Sequence, residues 1–163
     1  MDYVYAVARI RSKEMELLSQ KDLDQLLSSK SFNDCLSALS DKGWADNQIR
    51  DIDLVLKSER KKMWDYISEL VGDTSVFDVF LYLNDFHNLK AAIKYCYAPS
   101  DGIDIFIEES NVKSETLVKA IQSHDWELIP EHMRKACKEA FSVLLETGDG
   151  QLCDAIIDKT ALE

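Results

Sequence analysis

An all-α fold is predicted for this chain by three observations. Its 163 residues include only five Gly and two Pro, so turn-forming punctuation is sparse. Its apolar residues recur mostly three or four positions apart, the period of a helix face rather than of a strand. Its hydrophobic share of 46% is enough to build the core of one domain or of two small ones. An irregular multi-helix bundle with short connections is therefore expected.

The elements follow in order. From Tyr3 to Leu18, residues Val4, Val7, Ala8, Met15 and Leu18 line one helical face. Ser19 is placed to cap the next helix, Asp22 to Leu27, because its hydroxyl can accept one of the unpaired N–H groups of a first turn. Phe32, Leu36 and Leu39 continue the period as far as Gly43. Asp51 or Asp53 opens a long helix whose Ile52, Val55, Leu56, Met63, Ile67 and Leu70 share a face, and Gly72 ends it. The basic run Arg60-Lys61-Lys62 reads as a solvated face in preference to a binding patch.

Val76 to Tyr97 is apolar nearly all round in its first two turns, which predicts a helix buried at the centre of a bundle. Pro99 to Gly102 reads as a turn, and Ile103 to Ile107 as a loop or helical turn in preference to an isolated strand. Ser114 to Ser123 is the next helix. Pro130 opens another, with Met133, Ala136, Cys137, Ala140, Phe141 and Leu144 on one face and Gly148 at its end. Gln151 to Glu163 is helical with no stop signal. An internal repeat is indicated where Leu23, Leu27, Ser29 and Phe32 are laid over Leu117, Ile121, Ser123 and Trp126.

The formal charge of −11 argues against non-specific binding to nucleic acid or anionic lipid, which would repel such a surface, so partner surfaces are expected to be neutral or basic. The four cysteines, Cys35, Cys96, Cys137 and Cys153, form no CxxC pair and read as reduced thiols of a cytoplasmic protein. The longest strongly apolar stretch, Val76 to Leu83, falls far short of the roughly 20 residues that cross a bilayer. No phosphate-binding GxxxxGK[ST] loop, GxGxxG turn or GxSxG elbow is present, and His87, His124 and His132 have no metal-binding spacing. Tyr3, Tyr5, Trp44, Trp64 and Trp126 have no interleaved basic residues, so they read as core or groove aromatics and not as a base-stacking platform. Catalytic residues, cofactors and metals are accordingly not expected.

Two cations break the pattern. At about 100° per residue, Lys90 falls within the stripe of Val79, Leu83, Phe86 and Ile93, where a lone ammonium is costly to desolvate. Arg11 likewise falls between Val4, Ala8, Met15 and Leu18. Each is expected either to hold a partner or to snorkel at the core edge. Asp85, His87 and Lys90 are the materials of acid–base chemistry, but Asp85 lies about 140° from Lys90 around the helix, so the three do not converge.

The opening Tyr3-Val4-Tyr5-Ala6-Val7-Ala8-Arg9-Ile10-Arg11, with Leu17-Leu18-Ser19 and Asp22-Leu23, resembles the N-terminal helix of the C subunit of V- and A-type ATPases, called d in eukaryotes. The central Asp85-Phe86-His87-Asn88-Leu89-Lys90 is similar to that family's Asp-x-x-Asn-Leu-Lys motif, and Asp154-Ala155-Ile156-Ile157-Asp158-Lys159 with Leu162 is a looser third match. The resemblance implies a funnel of three similar helical units in proteins roughly twice this length. The chain would then hold a first unit over residues 1–108 and a truncated second over 109–163. It also implies a non-catalytic rotor part in the cytoplasm, peripheral to the membrane, that joins the D and F subunits of the central stalk to the proteolipid ring and serves proton or sodium transport. Carried over to this chain, Arg11, Asp85, Asn88 and Lys90 would fix helix packing, while Arg9, the more exposed arginine, would be a possible partner contact. A truncated funnel would leave apolar surface uncovered near its C-terminal end, favouring self-association. The rival reading is an unrelated cytoplasmic helical adaptor or scaffold; an enzyme built on Asp85, His87 and Lys90 is the least favoured.

Overall fold

The computed structural model describes residues 3–44, 51–99 and 105–163. The all-α expectation is met: among the described residues every regular element is a helix. The chain divides into two compact units, Met1–Thr74 and Ser75–Glu163.

The first unit carries α1 (Val4–Glu14), α2 (Gln20–Leu27), α3 (Phe32–Asp41) and α4 (Ile52–Val71). Ser19 caps α2 as its sequence predicts, within a reciprocal box: its hydroxyl accepts from Asp22 N at 3.3 Å, and the Asp22 carboxylate accepts from Ser19 N at 2.9 Å. The same carboxylate meets Lys42 Nζ at 2.6 Å, joining the start of α2 to the end of α3. Lys42 first, and Ser19 second, hold the Asp22 carboxyl well below the usual carboxylate range. A folded-state pKa below the unfolded one adds stability above the ordinary carboxylate range, and this is lost as pH falls through the folded value. Asp22→Asn is therefore expected to flatten the acid side of the stability–pH profile, as urea unfolding at a series of pH values will show; an unaltered profile would remove Asp22 from the account.

The face expected for α1 is corrected. Val4, Val7 and Met15 are exposed, and Ala6 is the buried position. The reason is a polar aromatic attachment that no apolar pattern encodes. Arg9 lies over the Tyr66 ring of α4 at 5.4 Å, its Nε donates to the Tyr66 hydroxyl at 3.2 Å, and that hydroxyl donates to the Arg9 carbonyl at 3.0 Å. Lys13 Nζ sits 5.9 Å from the same ring. Residues 6, 9 and 13 thus define the attached side of α1, at helical spacing.

The second unit carries α5 (Asp78–Tyr97), α6 (Ser114–Ser123), α7 (Glu131–Thr147) and α8 (Gly150–Leu162). In it α5 packs against α6, α7 and α8, and α7 packs against α8. The face predicted for α7 is the one buried: Met133, Ala136, Cys137, Ala140 and Leu144, with Phe141 at the edge of the core. Pro130 stands at its start, and Gly148, left-handed at φ 68°, closes it by donating to Leu144 O. Asp149 then caps α8 by accepting from the N–H groups of Gln151 and Leu152.

The centre of the bundle is not where the all-round apolar turns of α5 placed it. Val79 shares a helical azimuth with Phe86 to within about 20°, yet Val79 is 70% exposed and Phe86 1%. Burial on α5 begins at Asp85. The turn expected from Pro99 to Gly102 lies, beyond Pro99, outside the described residues, as does the start of the Ile103 to Ile107 run, and Ile105 to Ile107 is irregular chain. Both arms of the suspected repeat begin on helices, α2 and α6, but Leu23 and Leu27 are exposed where Leu117 and Ile121 are buried. Among the described residues no helix is long and apolar enough to cross a membrane.

Candidate functional site

Three polar side chains of α5, at 84, 85 and 88, are used on the chain that precedes α6. Asn84 Nδ2 donates to Glu109 O at 2.8 Å. Asp85, fully withdrawn from solvent, accepts from Asn111 N at 2.7 Å and Val112 N at 3.0 Å on one oxygen, and from Asn111 Nδ2 at 2.8 Å on the other. Asn88, equally buried, does with its side chain what a paired strand does with its backbone: its Nδ2 donates to Ile107 O and its Oδ1 accepts from Ile107 N, both at 2.8 Å. His87 Nε2 lies 3.2 Å from Ile105 O; a carbonyl can only accept, so this nitrogen carries the proton. The partners of residues 84 and 85 lie at 109–112, and those of 87 and 88 at 105–107. The connecting segment therefore lies antiparallel along the helix, held through alternate residues.

The opposite end of the motif ties α5 to α8. Lys90 Nζ donates to Asp158 Oδ1, and Lys94 Nζ to Asp154 Oδ2, each at 2.6 Å. Residues four apart on α5 meet residues four apart on α8 in reverse order, the signature of antiparallel neighbours. Lys90 thus has the partner its position called for, but the pair is not buried: its side chains are 23% and 52% exposed. Lys90→Met is accordingly expected to change the unfolding free energy by less than about 1 kcal/mol, as half-exposed pairs do. Urea unfolding measures it, and a loss of several kcal/mol would show that the ammonium is held far more tightly than its exposure implies.

Lys90, with Lys94, brings together two of the stretches singled out in sequence, the central motif and Asp154 to Asp158, while Asp85 and Asn88 hold the 107–112 segment. Leu89, between Asn88 and Lys90, is fully buried in the core. Sequence reasoning misses Asn84, Asn111 and Lys94. Lys94 carries a readable signal, because Lys90/Lys94 and Asp154/Asp158 repeat one spacing with opposite charge; Asn111 acts largely through its backbone and leaves no such trace.

In the first unit the expected exposure order of the two arginines is reversed. Arg9 is engaged with Tyr66 and with the Tyr5 hydroxyl at 2.8 Å, while Arg11 is 74% exposed and pairs with Glu14 at 3.1 Å, three residues on. Among the described residues, Arg11 meets no buried carboxylate.

An open cleft of about 510 Å³ in the second unit is lined by His87, Lys90, Lys94, Tyr95, Gly150 and Asp154. Both of its ammonium groups are already paired to carboxylates. Asp85, His87 and Lys90 point to three different partners, so no proton-transfer relay links them. Among the described residues no group of three or more His, Cys, Asp and Glu is placed to hold a metal ion. The four cysteines are free, and burial pushes the Cys137 thiol up to about 12, with Cys96 and Cys153 also raised chiefly by burial. These three thiols therefore stay protonated and inert at neutral pH.

Residues 6–163 match the family described as ATP synthase (C/AC39) subunit. The C subunit of a V-type sodium ATPase from Enterococcus hirae is 22% identical over 166 aligned residues, which take in 99% of this chain and 51% of that protein. The chain thus spans about half the length of the curated relative it matches. No solved structure matches it.

Proposed function

Because this chain belongs to the ATP synthase (C/AC39) subunit family, a non-catalytic part of the rotary ATPase, we propose that it serves in the rotor, where it couples the central stalk to the membrane proteolipid ring. The observation that carries this is the family match over nearly all of its residues. Its partners are then the D and F subunits of the stalk and the ring, and its contribution is to ATP-linked proton or sodium transport without chemistry of its own. The similarity to part of a sodium ATPase leaves both ions in play at this level of identity. It works in the cytoplasm, peripheral to the membrane, held there by other subunits.

In this reading the chain supplies a first helical unit over residues 1–108 and part of a second over 109–163 of a pseudo-threefold funnel. Asp85, Asn88 and Lys90 act in it as packing residues, Arg11 belongs to the same motif set, and Arg9 is a possible partner contact. The physical support is mechanical. A torque-bearing part needs connections that do not slide, and the clamp on the 105–112 segment together with the paired ties between α5 and α8 gives such connections.

The test is recovery of the full-length protein from its own cells in mild detergent, with partners identified by mass spectrometry. Stalk and ring subunits are expected to copurify. Their clean absence, with other soluble proteins in their place, would leave a helical adaptor.

A further inference from the structure

Helix α1 rests on α4 through few groups. It buries one of its eleven residues, Ala6, where α5 buries six of twenty. Among the described residues it shares no broad packed surface with another helix. Its fastening centres on Arg9, whose guanidinium lies 5.7 Å from the Tyr5 ring centroid and 5.4 Å from that of Tyr66. The Tyr66 hydroxyl accepts from Arg9 Nε at 3.2 Å and donates to the Arg9 carbonyl at 3.0 Å. One phenol of α4 therefore holds both the side chain and the main chain of one residue of α1.

A segment with few buried apolar contacts opens at a lower free energy than the body it belongs to. Once off its seat, α1 has little to keep it helical, because isolated helices shorter than about 12–15 residues are marginal in water. We propose that Arg9 and Tyr66 form a latch, and that α1 leaves α4 and unwinds as one unit while α4 and the second unit stay folded. The latch also governs the fork of Arg9. Closed, its Nε and Nη1 are committed to the hydroxyls of Tyr66 and Tyr5. Open, with α1 unwound, both are released to pair with a carboxylate.

The test is amide hydrogen exchange of the whole chain under native conditions, followed residue by residue by NMR. Residues 8–14 are expected to open with one common free energy, smaller than that of residues 58–68 in the middle of α4. Tyr66→Phe keeps the ring and deletes the hydroxyl. It should speed exchange at 8–14 by about tenfold, the scale of a hydrogen bond to a charged group, and leave residues 58–68 and the core amides of Leu89 and Ile93 unchanged. Arg9→Met, which leaves α4 untouched, should give the same pattern. Val7→Ala trims a half-exposed side chain about 160° around α1 from Arg9. It should not speed exchange, since alanine is the better helix former. Exchange at 8–14 as slow as at 58–68 would overturn the latch. So would rates graded inward from the start of α1, which describe fraying, or rates that Tyr66→Phe leaves alone. Acceleration of 58–68 together with 8–14 would make α1 and α4 one cooperative element, and acceleration by Val7→Ala would show that α1 is held from its other side; either result sinks the proposal.

Discussion

Replacing Asp85 by alanine is expected to lower the unfolding free energy by about 3–5 kcal/mol, the scale on which several poorly hydrated N–H groups lose their acceptor together. The carboxylate is 2% exposed and takes three N–H donors, from Asn111 N, Asn111 Nδ2 and Val112 N. Alanine takes the acceptor from the backbone N–H groups of Asn111 and Val112, leaves Asn111 Nδ2 with Asp78 O at 3.1 Å alone, and opens a space where the carboxylate stood. Asp85→Asn should be intermediate, because one oxygen can still serve the two backbone donors while its new amide faces the Asn111 amide. Urea unfolding followed by circular dichroism measures the cost. Amide hydrogen exchange locates it, with residues 111 and 112 expected to lose protection first. An unchanged midpoint would mean that the clamp holds no free energy.

Leu89→Ala is the second large effect, about 3 kcal/mol within the range seen for emptying a fully buried leucine site. Leu89 is 0% exposed and lies in the core with Phe86 and Ile93, one turn away on either side along α5. The loss combines the transfer of the side chain from the core with the cavity left among neighbours that cannot collapse freely. It differs from Asp85→Ala in where it shows. The midpoint should fall while the amides at 111 and 112 remain protected under native conditions, since their acceptor is intact. Loss of that local protection in Leu89→Ala would show that core and clamp are one cooperative element.

Much of the fold is legible in the sequence because its boundaries use local chemistry. Ser19 caps α2, Pro130 and Gly148 bracket α7, and the buried face of α7 is the one its apolar period draws. What fails is inference from apolarity to burial where no partner is in view. The first turns of α5 are apolar on most sides, but pattern records what a residue would gain from cover, not whether a neighbouring helix reaches it. α1 fails for the complementary reason: its attachment runs through a guanidinium on a tyrosine ring, which a count of apolar residues scores as solvent. Within the candidate site, Asp85, Asn88 and Lys90 are marked by family resemblance, and helical azimuth marks Lys90 as needing a partner. Their actual partners are largely silent, because most of what α5 grips in the 105–112 segment is peptide backbone, which every sequence shares.

Such a grip also constrains how the chain can evolve. A clamp that holds carbonyls and N–H groups at alternate residues is indifferent to spelling and intolerant of length. At Ile105, Ile107 and Glu109 the grip takes only main-chain groups, so it does not itself specify those side chains. One residue inserted or deleted there would offset the hydrogen-bonding groups from Asn84, Asp85 and Asn88 all at once, exchanging donors for acceptors along the row. Variation in this connector should therefore accumulate as substitutions and be purged as insertions.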